Sequence, residues 1–222
     1  MKKLFGLFAF LLISFPSFSQ EGSPNNLYHY SKEEFFKLKS ISKTLDLTDI
    51  NYPLLHASIF FVTNRQRILH GLEPLEYSLK IEMLAAGHAY DMATYGFYSH
   101  QSKIRNKRKL RDRFQIVGLN PTLIAENISN TSGLDYEYGR MVNPPQQPGL
   151  FTYANTPRIE PVPLHTYLSY AEEIVKLWME SPGHRQNILN PAFKKMGCGS
   201  QVYGEKKFYN MPYFMNVQCF SD

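Results

Sequence analysis

Apolar residues along the chain gather into periodic blocks separated by polar or proline-rich connectors. The clearest block is "NYPLLHASIFFVTNRQRILHGL". Leu55, Ile59, Val62 and Leu69 recur there at helical spacing, and Leu54, Phe61 and Ile68 widen the stripe. Asn51 is placed to cap this helix, Pro53 suits its first turn and Gly71 suits its stop. After the connector "EPLEYS" a second helix is predicted from about Ser78 to Tyr95. Its apolar face is Leu79, Met83, Ala86, Tyr90 and Ala93, and Gly96 ends it. The basic segment that follows predicts a third helix ending near Gly118. Ser169 and Glu172 stand at capping-box spacing before a further helix with Ile174, Leu177 and Trp178 on its apolar face. Ser181 and Pro182 then suit the N-cap and first residue of a short helix, and Ser31 with Glu34 marks another near the N-terminus.

The period changes elsewhere. "LIAENIS", residues 123–129, is apolar and β-branched around an acid and reads as extended. "CGSQVYG" and "YFMNVQCF" offer two C-terminal strands. If these pair as a symmetric hairpin, Cys198 faces Cys219, and export would permit a disulfide between them; two buried free thiols are the other reading. Residues 133–165 are rich in Pro, Tyr and Asn without any period, a loop of the length that usually serves a function. No repeat and no Walker or dinucleotide loop is present. The pattern predicts one α+β domain, with three or four helices followed by a C-terminal antiparallel pair.

The N-terminus follows different rules. "MKK" precedes the apolar run "LFGLFAFLLISF", and Ser17-Phe18-Ser19 supplies a small-x-small pattern. This predicts a signal peptide over residues 1–19, cleaved between Ser19 and Gln20, and hence a secreted or periplasmic protein. The run is short for a bilayer span, so no transmembrane anchor is expected. Residues 20–48 form an N-terminal extension with a short helix, and residues 49–222 form the domain proper. Over the whole chain 43% of residues are apolar and 14% aromatic, enough for a sizeable core. Loss of Lys2 and Lys3 with the signal lowers the formal net charge from +5 to +3, which does not point to nucleic acid. Basic residues concentrate in "KIRNKRKLRDR", 103–113, either a solvated face or a patch for an anionic surface. A monomer is expected.

Three polar residues stand at element ends among apolar neighbours: His100 in "FYSH", Glu126 in "AENI" and His184 in "SPGHRQNIL". Two imidazoles and a carboxylate suit either zinc ligation or general acid–base work. Ser181 precedes Pro-Gly at a helix start, where its oxygen serves a backbone N–H better than it serves nucleophilic attack, and no G-x-S-x-G elbow is present. Asn187, one turn beyond His184, is placed to orient it or to cap a neighbouring backbone group. His56, His70, His88 and His165 carry no comparable signal, and His88 reads as a satisfied core histidine.

These segments together resemble the CAP superfamily, also called the SCP domain, which includes cysteine-rich secretory proteins, antigen 5 and plant pathogenesis-related proteins. The likeness to its compact bacterial members runs through "FVTNRQRILHGLEPL", "LAAGHAYDMATYGFYSHQ", "RDRFQIVGLN", "IAENIS", "AEEIVKLWMESPGHRQNILNPAFKKMGCG" and "YFMNVQCF". It implies an α-β-α sandwich with a small antiparallel sheet between helices. It also implies a cleft in which two His and two acids meet, in some members around a divalent metal. His100, Glu126 and His184 match three of those positions and are the implied metal ligands, for Zn²⁺ or another divalent ion. The second acid commonly lies three residues after the Trp of this helix; that position is Ser181 here, with Glu180 one residue earlier and Glu173 five before the Trp. Asn64 and Arg67 match a family pattern that ties helices together.

Three functions fit this reading. The first is a binding module whose cleft (His100, Glu126, Ser181, His184, Asn187) and long loop hold a lipid, cell-wall or protein ligand. The second is a metal-dependent hydrolase of the peptidase kind, with Glu126 as base. The third is an interaction protein in which the polar cluster maintains the fold.

Overall fold

The computed structural model describes residues 24–222; the expected signal peptide lies outside the described residues. A 3-10 turn at Pro24–His29 leads into α1 (Lys32–Phe35), a second turn at Lys39–Ser42, α2 (Tyr52–Leu69), β1 (Glu76–Tyr77) and α3 (Leu79–Tyr95). A turn at Arg105–Lys107, α4 (Leu110–Ile116), β2 (Ile124–Ser132) and the short β3 (Val142–Asn143) and β4 (Thr152–Tyr153) follow. The chain ends with α5 (Tyr167–Glu180), α6 (Pro182–Ile188), β5 (Lys195–Glu205) and β6 (Met211–Ser221).

Helix punctuation behaves as the sequence predicts at several ends. The Asn51 side chain accepts from Leu54 N at 3.0 Å, Ser78 caps α3, and Ser31 with Glu34 completes a capping box. Gly71 and Gly96 lie in the left-handed region that favours glycine, with φ of 73° and 60°. One cap differs from expectation. Thr166, not Ser169, is the N-cap of α5, and Ser169 is its N3 partner. Glu172 instead pairs with Arg65 at 2.8 Å. The third helix is also shorter than expected: most of the basic run forms a loop and turn, and α4 begins only at Leu110.

The strands β1, β5, β6 and β2 form a sheet in that order, antiparallel except for the β1–β5 pair. Helices α2 and α5 cover one face through a core that includes Leu55, Ile59, Tyr170, Ile174, Trp178 and Phe214. Helix α3 covers the other through Ile81, Ala85, Ala89, Val217 and Cys219. This is an α-β-α sandwich. The segment before residue 49 is built into it, because Phe35, Ile41 and Leu45 belong to the first core. Tyr28 also donates to the buried Glu82 carboxylate at 2.7 Å. Arg67 ties α2 to α6 as the resemblance implies, whereas Asn64 ties α2 to the connector before β1. Asn64 exchanges two hydrogen bonds with the Leu75 backbone, and Arg67 donates to the carbonyls of Glu73, Ile188 and Asn190. The Pro-rich loop carries the β3–β4 ribbon over its own small core of Leu134, Phe151, Tyr153 and Val162.

The expected apolar face of α3 is the wrong one. Leu79, Met83 and Tyr90 are exposed, whereas Ile81, Leu84, Ala85, His88, Ala89 and Met92 are buried. The reason lies on the strand beneath. A Cβ at Gly197 would stand 2.1 Å from Glu82 N, and one at Gly199 would stand 2.1 Å from Ala86 N. With no side chain there, the helix backbone rests on the sheet along Ile81–Glu82 and Ala85–Ala86, and this turns Ile81, Ala85, Ala89 and Met92 inward rather than Leu79, Met83 and Tyr90.

The disulfide reading is also corrected. Cys198 pairs in register with Gln218, and Cys219 pairs with Gly197. The strands close on Glu205 and Met211, which leaves residues 206–210 as an odd-numbered connection; facing cysteines would require an even one. The one-residue slip sends the thiols to opposite faces of the sheet. Cys198 sits in the α2–α5 core and Cys219 in the α3 core, both free and buried. Burial pushes both thiols up, so neither is a ready thiolate. Alkylation without reductant is therefore expected to label neither cysteine in the native protein and both after unfolding. A mass showing unlabelled cysteines in the unfolded, unreduced chain would contradict this.

Candidate functional site

The site forms at the free edge of the sheet, on β2. Successive strand residues point to opposite faces, and Glu126 and Asn127 use this directly. Glu126 turns toward the α3–α4 side, where the Cys219 sulfur lies 3.8 Å from its carboxylate. Asn127 turns toward the other side, where its amide donates to the His184 carbonyl at 3.2 Å. His100, from the loop between α3 and α4, and His184, in the first turn of α6, therefore approach the same strand edge from two sides.

Glu126 is almost fully buried and doubly engaged. His100 Nδ1 donates to Oε1 at 2.9 Å, and the buried Arg113 guanidinium donates to Oε2. Burial pushes the carboxyl pKa up, but the His100 hydrogen bond and the Arg113 charge outweigh it and hold the group below the usual carboxylate range. With Nδ1 committed to Glu126, His100 presents its Nε2 edge, and more than half of its side chain is exposed. Burial, and then the charge of His100, pull the His184 imidazole below its ordinary pKa.

Of the two expected roles, Asn187 takes the second: it makes no hydrogen bond to the His184 ring and caps a neighbouring backbone group. Its amide donates to Asn127 Oδ1 at 2.8 Å and to the Glu126 carbonyl at 3.4 Å. Asn127 also donates to Gln218 at 3.2 Å, and Gln218 donates to Thr63 on α2 at 2.7 Å. A buried polar relay thus runs from α2 through the sheet to α6 and fixes where His184 is presented. Ser181 is the backbone N-cap of α6 but makes no side-chain cap bond. Glu180 is exposed, and Glu173 lies 3.7 Å from Lys176.

Two contributors were hidden in the sequence. Arg113 sits in a run that reads as a solvated basic face, yet it is buried and also donates to the carbonyls of His100 and Lys107. Its only sequence signal is its place beside Phe114 in the stretch "RDRF". His88 is buried as expected but not fully satisfied: Nε2 holds the Ser99 carbonyl at 3.0 Å, one residue from His100, whereas Nδ1 has no partner among the described residues. By contrast, the buried pair of His56 with Glu82 is structural. Its Nδ1–Oε1 contact of 3.1 Å joins α2 to α3, and Nε2 accepts from Ser200 N.

A metal does not fit these three residues as a ligand set. Among the described residues no group of three or more His, Cys, Asp or Glu is arranged to hold an ion. Both Glu126 oxygens already have partners, one of them a guanidinium whose charge opposes a cation. Two imidazoles remain, fewer than the three or four protein ligands of ordinary zinc sites.

A helix-covered sheet carries the His100–Glu126 pair on its edge strand β2, with the backbone of His184 held on the other side of that strand. Residues 60–220 match the family model described as the cysteine-rich secretory protein family, CAP. The chain belongs to that family. It is 28% identical over 138 residues to the Bacillus subtilis protein YkwD, covering 62% of this chain and 39% of that one. To the Bacillus subtilis membrane protein YlbC it is 25% identical over 151 residues, covering 68% and 32%. The chain thus spans less than two fifths of the length of these relatives. An extracellular SCP-domain protein of Bacillus anthracis is a structural neighbour, with TM-score 0.49 and 24% identity over 77% of this chain and 41% of its own. The CAP domain of enterococcal PrgA is another, with TM-score 0.46 and 15% identity over 93% and 82%.

Proposed function

We propose that this is an exported CAP protein acting as a non-catalytic binding module. Its cleft at His100 and His184, with the loop 133–165, holds a lipid, cell-wall or protein ligand. One observation carries the reading: the buried Glu126 carboxylate is already engaged by Arg113 and His100 and its pKa is held low, which makes it a weak base. Among the described residues no hydroxyl hydrogen-bonds the ring of His100 or His184; Ser99 Oγ, next to His100, accepts from Gln101 N at 3.0 Å. The loop adds contact surface. Tyr138 and Ile159 are 98% and 87% exposed on a segment steadied by its own core. Export rests on the N-terminal signal pattern. No described helix is long and apolar enough to cross a membrane.

The test combines binding to peptidoglycan fragments and phosphatidylcholine vesicles with a peptide-hydrolysis assay, with and without Zn²⁺. Saturable binding without turnover is expected. His184→Ala and Tyr138→Ala should weaken that binding by about tenfold, as hot-spot truncations do, while the melting temperature holds. Turnover that Glu126→Gln abolishes would replace this reading with hydrolysis. Absence of binding to both probes would count against a small-molecule or wall ligand.

A further inference from the structure

A depression of about 520 Å³ lies along the His100 loop, lined by Phe97, Ser99, Gln101, Ser102, Lys103, Arg105 and Arg108 but not by His100, Glu126 or His184. That volume is within the range of small-molecule sites, about 300–1,000 Å³. The wall carries three cations and no acid. We infer that it is a site for a phosphate-class anion, a phosphomonoester or phosphodiester, distinct from the imidazole cleft.

The basic run sorts its charges unevenly. Lys107 pairs with Asp91 at 2.9 Å. Arg113 is buried against Glu126. Arg111 donates to the carbonyls of Pro121 and Thr122. Lys103 donates to the carbonyls of Tyr95 and Gly96 and lies 5.5 Å above the Phe97 ring. The nearby acids are engaged: Asp91 with Lys107, Asp112 with the Lys109 N–H, Glu126 as above. Arg105 and Arg108 are exposed, and among the described residues neither guanidinium has an ion pair or a hydrogen bond. These two unpaired forks face the depression together, and planar forks bind phosphate oxygens in pairs.

Their placement is held before any ligand arrives. Ser102 N donates to the Arg108 carbonyl at 3.0 Å, and Ile104 N donates to Ser102 Oγ at 3.1 Å, which closes the loop on itself. Arg113 then clamps it from inside through the carbonyls of His100 and Lys107. Holding like charges side by side opposes folding, and a bound anion relieves the repulsion.

The experiment titrates the protein with inorganic phosphate by calorimetry. In parallel it measures cosedimentation with vesicles of phosphatidylcholine alone and of phosphatidylcholine with phosphatidylglycerol. Phosphate binding is expected, weakened at least about tenfold in Arg105→Glu/Arg108→Glu by loss of charge-assisted bonds. The control Lys206→Glu/Lys207→Glu makes the same charge change at the exposed turn after β5 and should bind as wild type. His184→Ala, which alters the cleft and not the depression, should also leave phosphate binding unchanged. Phosphatidylglycerol-dependent sedimentation that phosphate competes away would make the anion a lipid headgroup; phosphate binding without sedimentation would make it a soluble phosphate. Equal losses in the two double variants would reduce the effect to net charge and overturn the site. Absence of phosphate binding, or its loss in His184→Ala, would overturn it as well.

Discussion

Arg113→Met is expected to destabilise the protein by about 3–5 kcal/mol, the usual cost of leaving one partner of a buried ion pair alone. The variant keeps Glu126 buried but removes its counter-charge, and it frees the carbonyls of His100 and Lys107 from their shared donor. The sign of the pH dependence separates this from a simple packing loss. In the native protein the Glu126 pKa is lowered, with burial opposing and the His100 bond and Arg113 charge prevailing. Its stabilisation is therefore complete above the unfolded carboxylate value, about 4.3, and is lost as pH falls through the folded value. Without Arg113, burial is opposed mainly by the His100 bond, so that pKa rises from its native position. The variant's deficit should then be largest at neutral pH and shrink in mild acid. Adding Glu126→Gln should recover part of the loss at neutral pH. Urea unfolding at neutral and mildly acid pH measures all three variants. A deficit that does not change with pH would mean that the charge pair is not what holds the loop to the strand.

Gly199→Ala should have a comparable or larger effect, more than about 4 kcal/mol, the range reserved for a few severe mechanisms. The added carbon would stand 2.1 Å from Ala86 N and 2.3 Å from Ala86 Cα. Both atoms are helix backbone, so α3 would have to lift from the sheet, and its core with Val217 and Cys219 would open. Gly199 does not have a positive φ, so the effect is purely one of space. Gly87→Ala on the same helix is the matched control. Nothing lies within 4 Å of its added carbon, and replacing a helix-interior glycine should stabilise by about 0.5–1 kcal/mol. Thermal melting of the two variants decides the matter. If Gly199→Ala melts like the wild type, the helix does not rest on the strand as described.

The contrast between these glycines shows where sequence reasoning held. Asn51, Ser78, Gly71 and Gly96 marked helix ends correctly because capping and left-handed turns depend on residues only a few positions apart. The Ser169–Glu172 spacing misled because Thr166 offers the same hydroxyl one turn earlier. For α3 both sides of the helix carry apolar residues, so periodicity alone does not choose between them. Of the site, His100 and Glu126 were legible by their residue type and setting, and the structure joins them directly. His184 is brought to the same strand edge from the far side, held through its backbone by Asn127.

The sequence by itself determined most helices and their capped or glycine-marked ends and the three long strands, because each of these is a local pattern, and the quoted motifs together carried the family. Only the tertiary structure decided the rest. Strand register follows from the residues enclosed by one connection, and a one-residue slip parted Cys198 from Cys219. Which face of α3 is buried followed from two glycines more than a hundred residues away. The role of Arg113 followed from burial, since a charge in a basic run becomes an internal clamp only when the surrounding fold removes it from water and supplies Glu126 as its partner.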